Sequence, residues 1–268
     1  MNSLAVDSTA STIVRARQPS VFAAYLAELR VELLRTVRNP GIAIPILIMP
    51  VALYLLFALV IAGEAIDKDP SLGIFLFGAF AIMGMTMPAL FAISSGLALD
   101  REMGLLRLKR AQPAPVGAWL VAKIVAGILF CVIAYLPMLA AAVWSGKVLL
   151  PAPALVAMSF TMLAGSVCFC ALGLMIGALV KGTAAPGYAN VVYLPGCYLS
   201  GMFFPLPQSM HWQAPIWPQF HVVQMSMHAA GPSAAKFQFM PLQLAIAACV
   251  GFTVLFAAVA FWKLSRKD

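Results

Sequence analysis

Apolar residues run in long stretches along this chain, separated by short clusters of charge, and from residue 41 onward they define six candidate spans. These are residues 41–62, 72–99, 116–143, 153–180, 186–204 and 241–262. Each is near the roughly 20 residues that a helix needs to cross about 30 Å of hydrocarbon, and the longer ones allow tilt. Pro45, Pro50, Pro88 and Pro137 lie inside spans, where neighbouring helices can compensate the freed carbonyls. Ahead of the first span, residues 20–38 carry a helical pattern. Phe22, Leu26, Leu29, Leu33 and Val37 form one stripe, while Glu28, Glu32, Arg35 and Arg38 lie mostly off it. This predicts an amphipathic helix lying along the cytoplasmic membrane surface. The alternative is a helix of a small soluble domain, but little sequence precedes it to form a core. The first forty residues do not read as a secretory signal, because they open polar and Pro40 precedes the first long apolar run.

Composition sharpens the picture. Of 268 residues 63% are hydrophobic and only 10% charged, with a mean hydropathy of +0.96. A soluble chain is about 45–50% apolar and about 25% charged, so this one lacks the polar surface to face water all round. Disorder and a disulfide framework are excluded on the same grounds, the five cysteines being scattered. The net charge of +8 does not point to nucleic acid, since the basic residues flank apolar runs. Arg15, Arg17, Arg30, Arg35 and Arg38 precede span one. Arg101, Arg107, Lys109 and Arg110 follow span two, Lys181 follows span four, and Lys263, Arg266 and Lys267 close the sequence. The alternate loops carry only Lys68, Lys147 and Lys236, with Glu64, Asp67 and Asp69 beside the first. The positive-inside rule therefore places both termini in the cytoplasm, as an even number of spans requires. Residues 1–40 form a cytoplasmic segment and 41–268 a six-span transmembrane domain.

Two connecting segments are unusual. Residues 100–115 begin with Asp100-Arg101-Glu102, continue through Gly104 as a short basic helix bearing Leu105 and Leu108, and stop at Pro113 and Pro115. This is either a charged turn that enforces topology or a docking element for a soluble partner. Residues 182–235 contain no Asp, Glu, Lys or Arg. Beyond Phe204, prolines recur so densely that no helix there can cross a bilayer, and apolar broken backbone needs protein or a cavity around it. Two short re-entrant helices within 205–240, dipping in from the outer face, are expected; the alternative is an interfacial loop anchored by Trp212 and Trp217.

Every Asp and Glu lies outside the six spans, and Lys123 is the one charged residue inside them, near a cytoplasmic end. Ion-coupled transporters need buried ionisable relays, and a phosphate loop is also missing, so uphill work must come from another chain. The residues carry a resemblance at this point. Asp100-Arg101-Glu102-Met103-Gly104 through Pro113 after span two, and Ser200-Gly201-Met202-Phe203-Phe204-Pro205 ending span five, resemble motifs in the membrane subunit of type-2 ATP-binding cassette exporters. That family includes drug-resistance and polysaccharide or lipid exporters. Six spans, a leading amphipathic helix and a basic tail match over nearly the whole chain; Met103-Gly104-Leu105 departs from the family's acidic-glycine-threonine pattern.

The resemblance implies an all-α polytopic membrane protein of the inner membrane, working as a homodimer or close heterodimer. Each copy would engage a cytoplasmic ATPase that holds the ATP and magnesium, with no cofactor on this chain and no catalysis of its own. Asp100, Arg101, Glu102, Gly104, Leu105, Leu108 and Pro113 would form the coupling helix. Phe22, Leu26, Glu28, Leu29, Glu32 and Leu33 would face ATPase and lipid, and Ser200, Gly201, Phe203, Phe204 and Pro205 an external gate. Rival readings are a channel, an intramembrane enzyme pairing Ser200 with His211 or His221, and copper handling. The last would use His211, His221 and His228 near Met202, Met210, Met225 and Met227, but no tight ligand spacing supports a metal site. Gly173 and Gly177 form a small-residue pair for helix packing or a dimer face, and the cysteines read as small buried hydrophobes.

Overall fold

The computed structural model describes residues 21–37, 40–106, 108 and 116–266. Nine α-helices order the described residues, and no strand occurs among them. Helix α1 is Val21–Val37, and α2, Pro40–Leu55, continues as a π-helical stretch Leu56–Ile61. A short α3, Gly63–Lys68, leads into α4, Pro70–Glu102. Then follow α5, Val116–Ser145; α6, Ala152–Leu179; and α7, Ala185–Leu199. Last come α8, Pro218–Ala229, and α9, Leu242–Ser265. Helices α4, α5, α6 and α9 are long and apolar enough to cross a membrane, whereas the apolar part of α2 with its π continuation and α7 are shorter. Arg38, Arg107, Lys109, Arg110, Pro113 and Pro115 lie outside the described residues.

Helix α4 is the axis of the fold. Its sequence is apolar on every face, which is the pattern of a helix surrounded by protein, and it is buried from Gly73 through Thr86. Asp69 caps its start by accepting from the Ser71 backbone N–H at 3.2 Å, with Pro70 in the first turn. Its end is set by Gly104, whose φ of 71° only glycine adopts cheaply. Helix α6 lies against α4 through Gly173 and Gly177. A Cβ on Gly173 would stand 2.9 Å from the Ala89 and Leu90 carbonyl oxygens, and one on Gly177 would stand 2.7 Å from that of Ser94. The small-residue pair therefore serves packing within the chain. Thr86 on α4 and Tyr193 on α7 share a buried hydroxyl contact of 2.6 Å.

The bundle has a basal end, where α4 finishes at Asp100 to Glu102, and a distal end, where α4 begins. At the distal end Lys147 pairs with Asp67 at 2.5 Å and Lys236 with Asp69 at 2.7 Å. Outward-facing side chains along the bundle are large and apolar, among them Leu136, Phe160, Val191, Val254 and Phe261. Such a band suits a hydrocarbon surrounding.

Three expectations change. Span two does not give way to a turn at Asp100: α4 stays helical through Glu102, so Asp100 and Arg101 belong to its last turn. The segment after Phe204 holds one α-helix rather than two, α8, with 3-10 turns at Gln208–Met210, Ala214–Ile216 and Gly231–Phe237. Helix α8 is buried from Pro218 to Met227. Its Gln219 Nε2 donates to the Tyr193 carbonyl at 3.4 Å and its Val222 fills the space left by Gly165 on α6. Prolines at 205, 207, 215 and 218 interrupt longer helices, and the bundle supplies the partners that the broken backbone needs. On α1, Glu32, expected on the outward polar side of the helix, points inward and is buried.

Candidate functional site

The basal end brings together charges that lie far apart in sequence. Lys123 Nζ sits 2.8 Å from Glu32 Oε1 and 2.8 Å from Asp100 Oδ2, and Arg35 Nη1 donates to Asp100 Oδ1. Two carboxylates and two cations thus alternate along one chain of contacts, and their formal charges cancel. Lys123 is 3% exposed and Asp100 1% exposed. Burying such groups is costly unless each is paired, and here each is.

Helical spacing explains how the sequence builds this cluster. Glu32 and Arg35, three apart on α1, share a face. Gly96 and Asp100, four apart on α4, do the same: Asp100 supplies the charge, and a Cβ on Gly96 would lie only 3.4 Å from Lys123 Nζ. Trp119 and Lys123, four apart on α5, put the ammonium 5.2 Å from the indole centre, within reach of a cation–π contact. Three helices each contribute a paired position to one clasp. It ties α1 to the base of α4 and α5.

Just past the clasp the chain faces solvent. Glu102 is exposed, as are Met103 and Leu108, while Leu105 and Leu106 are half-buried. Arg101 turns the other way, its Nη1 donating to the Gly177 carbonyl at 3.1 Å. Asp100, Arg101, Glu102, Gly104, Leu105 and Leu108 are therefore brought to one basal knob, whereas Pro113 falls outside the described residues. Of the α1 set, Glu32 joins the clasp, Glu28, Leu29 and Leu33 are half-buried, and Phe22 and Leu26 point outward. Arg35 and Lys123 were not among the sequence's candidate site residues. A lone lysine in an otherwise uncharged span was the signal that could have found them.

At the other end of α7, Ser200 is the helix's C-cap and buried, Gly201 follows with φ 72°, and Phe204 is exposed. Phe203 lies against Phe80 with ring centres 5.7 Å apart. Ser200 Oγ donates to the Cys197 carbonyl at 3.4 Å. The three histidines each donate through Nε2 to a backbone carbonyl: His211 to Leu206, His221 to Pro215 and His228 to Met240, at 2.8, 2.8 and 2.7 Å. They hold the irregular distal segment in shape. Among the described residues no three of His, Cys, Asp or Glu gather as metal ligands. In the distal loops, the Lys236 ammonium, followed by the Ser71 hydroxyl, holds the Asp69 carboxyl below its usual range.

The helices and their apolar outer faces define a multi-pass membrane protein. The family model for ABC-2 type transporters matches residues 24–230, spanning the clasp, the basal knob and α8. The chain belongs to the ABC-2 type transporter family and is a transport permease, a component not itself catalytic. Membership implies a cytoplasmic ATP-binding cassette ATPase as its partner. No curated protein matches the chain.

Proposed function

We propose that this chain is the membrane subunit of an ATP-driven exporter of the inner membrane, with six spans and both termini cytoplasmic. In this reading α2 with its π continuation and α7 complete the set begun by α4, α5, α6 and α9. Residues 1–40 form the cytoplasmic segment, 41–268 the transmembrane domain, and 205–240 a re-entrant outer region around α8. Two copies form the pathway, Ser200 to Pro205 contribute to its outer gate, and ATP and magnesium stay on the ATPase. The basal knob of residues 100–115 docks into that ATPase. One observation carries the reading: Asp100 and Glu102 share a helical turn, yet the first is buried in an ion clasp and the second is exposed. A turn that served topology alone would have no reason to anchor one acid and present the next.

Glu102 is the residue to test. Exposed pairs contribute only about 0–1 kcal/mol, but a carboxylate desolvated against a basic partner can couple by about 1.5 kcal/mol or more. Glu102→Lys is expected to leave insertion and dimerisation intact and to reduce co-purification with the ATPase. A reversed charge on the facing basic residue should restore part of it. Unchanged co-purification and transport would return this turn to a topological role.

A further inference from the structure

Beside the clasp, and sharing none of its residues, a cavity of about 530 Å³ opens at the basal end between the last turns of α4, α6 and α9. Its size falls within the about 300–1,000 Å³ of small-ligand sites. Among the described residues, four cations line it, Arg101, Lys181, Lys263 and Arg266, with the one carboxylate of Glu102 and with Leu179 among the apolar side chains between them. Such a wall suits a phosphate group attached to something apolar. Arg101 is preset for the task, its guanidinium anchored on the Gly177 carbonyl at the end of α6.

The depth of the cavity says which phosphate it fits. Trp262, one turn before the end of α9, is half exposed, and the Arg266 guanidinium lies 3.8 Å from the centre of its ring. An exposed tryptophan at the end of an apolar helix marks the boundary between hydrocarbon and headgroups. The cations therefore stand at headgroup level, where basic pockets between spans bind acidic lipids. We propose that this cavity holds the phosphate of an anionic phospholipid from the leaflet that faces the ATPase. The inference rests on the orientation given above and extends it: Glu102 of the coupling knob lines the same cavity, so lipid charge reaches the docking surface.

The test uses the purified full-length chain in detergent, with phosphatidylglycerol and phosphatidylcholine offered in turn and retention read by native mass spectrometry. Wild type should retain phosphatidylglycerol over phosphatidylcholine. Lys181→Gln and Arg266→Gln, at exposed positions, should each lower that retention about fivefold, the factor equivalent to about 1 kcal/mol per basic residue at a membrane surface. Lys181→Arg should retain the lipid, which separates lost charge from lost shape. Equal retention of both lipids, or of phosphatidylglycerol by wild type and both Gln variants, would overturn the proposal. So would displacement of phosphatidylglycerol by inorganic phosphate from a site indifferent to the lipid, which would make the ligand a soluble phosphate. Lys181→Cys, probed with a thiol label in sealed vesicles, keeps the two readings apart. Labelling from the cytoplasmic side with no lipid preference sinks this inference alone, whereas labelling from outside sinks the orientation as well.

Discussion

Replacing Lys123 by methionine is the sharpest probe of the basal clasp, because it keeps the apolar stem and removes only the shared ammonium. Lys123 Nζ stands 2.8 Å from oxygens of both Glu32 and Asp100, and its side chain is 2% exposed. Removing one partner of a buried pair costs about 3–5 kcal/mol, since the other charge keeps its desolvation. Asp100 retains Arg35, and Glu32 lies at the cluster's edge with 11% of its side chain exposed, so relaxation is available. The lower end, about 3 kcal/mol, is therefore expected. At about 2–4 °C per kcal/mol for a chain of this size, the melting temperature should fall by about 6–12 °C. Thermal unfolding of the detergent-purified protein, followed by size-exclusion of the heated samples, reads this directly. Lys147→Met is the control, because the carboxylate partner Asp67 is 66% exposed and the pair should matter by about 0–1 kcal/mol. Adding Glu32→Gln to Lys123→Met should recover part of the loss, as it removes one of the stranded charges. If Lys123→Met melts with the wild type, the four charges do not clasp the helices and the argument fails.

Three further outcomes are expected. Gly177→Ala should separate α6 from α4 and lower stability by about 1–3 kcal/mol, because the new methyl meets a backbone oxygen and Leu97, which have little room to yield; a variant that melts normally would refute this contact. The Asp69–Lys236 contact should open in acid: with the folded carboxyl below the unfolded value of about 3.9, its contribution is present above that value and lost as pH falls through the folded one. Hydrogen exchange across Gly231–Phe237, corrected for intrinsic rates, should rise over that fall, and a rise on the alkaline side of neutrality instead would reverse the sign. Cysteines replacing Lys68, Lys147 and Lys236 should react from outside and those replacing Arg15, Lys109 and Lys267 from inside; cytoplasmic reactivity at 236 would remove the re-entrant outer region.

Long apolar runs gave away the helices because a bilayer imposes length, and α4, α5, α6 and α9 fall where the pattern puts them. The end of span five at Ser200-Gly201 was legible too, but Gly104 was read inside a short basic helix, and the positive φ with which it closes α4 was not foreseen. The clasp was not. Hydropathy treats Asp100 as the end of a span and Glu32 as the polar side of an amphipathic helix, and neither reading contains the other. Only the packing of α1 along α5 shows that two acids and two bases meet. The distal segment was hidden for a different reason: proline density forecasts interruption, but how much helix survives depends on neighbours such as Gly165 and Gly196, whose missing side chains admit Val222 and Gln219.

Asp100 and Glu102 are two residues apart on one helix and so project to nearly opposite sides. That geometry separates two roles that a charged turn would otherwise mix. The inward acid fixes where the end of α4 stands relative to α1 and α5, and the outward acid is left to meet whatever docks below. A push on the knob cannot be absorbed by the last turn of α4 swinging freely, because Asp100 is held from both sides by Arg35 and Lys123. If the knob docks as proposed, such a push would pass into α4 as a whole, and through the close contacts at Gly173 and Gly177 into α6. On the proposed reading, this is why the Glu102 and Lys123 variants should differ in kind. Glu102→Lys should weaken ATPase capture while the fold melts as before. Lys123→Met should soften the fold while a knob still able to bind the ATPase transmits less of its motion.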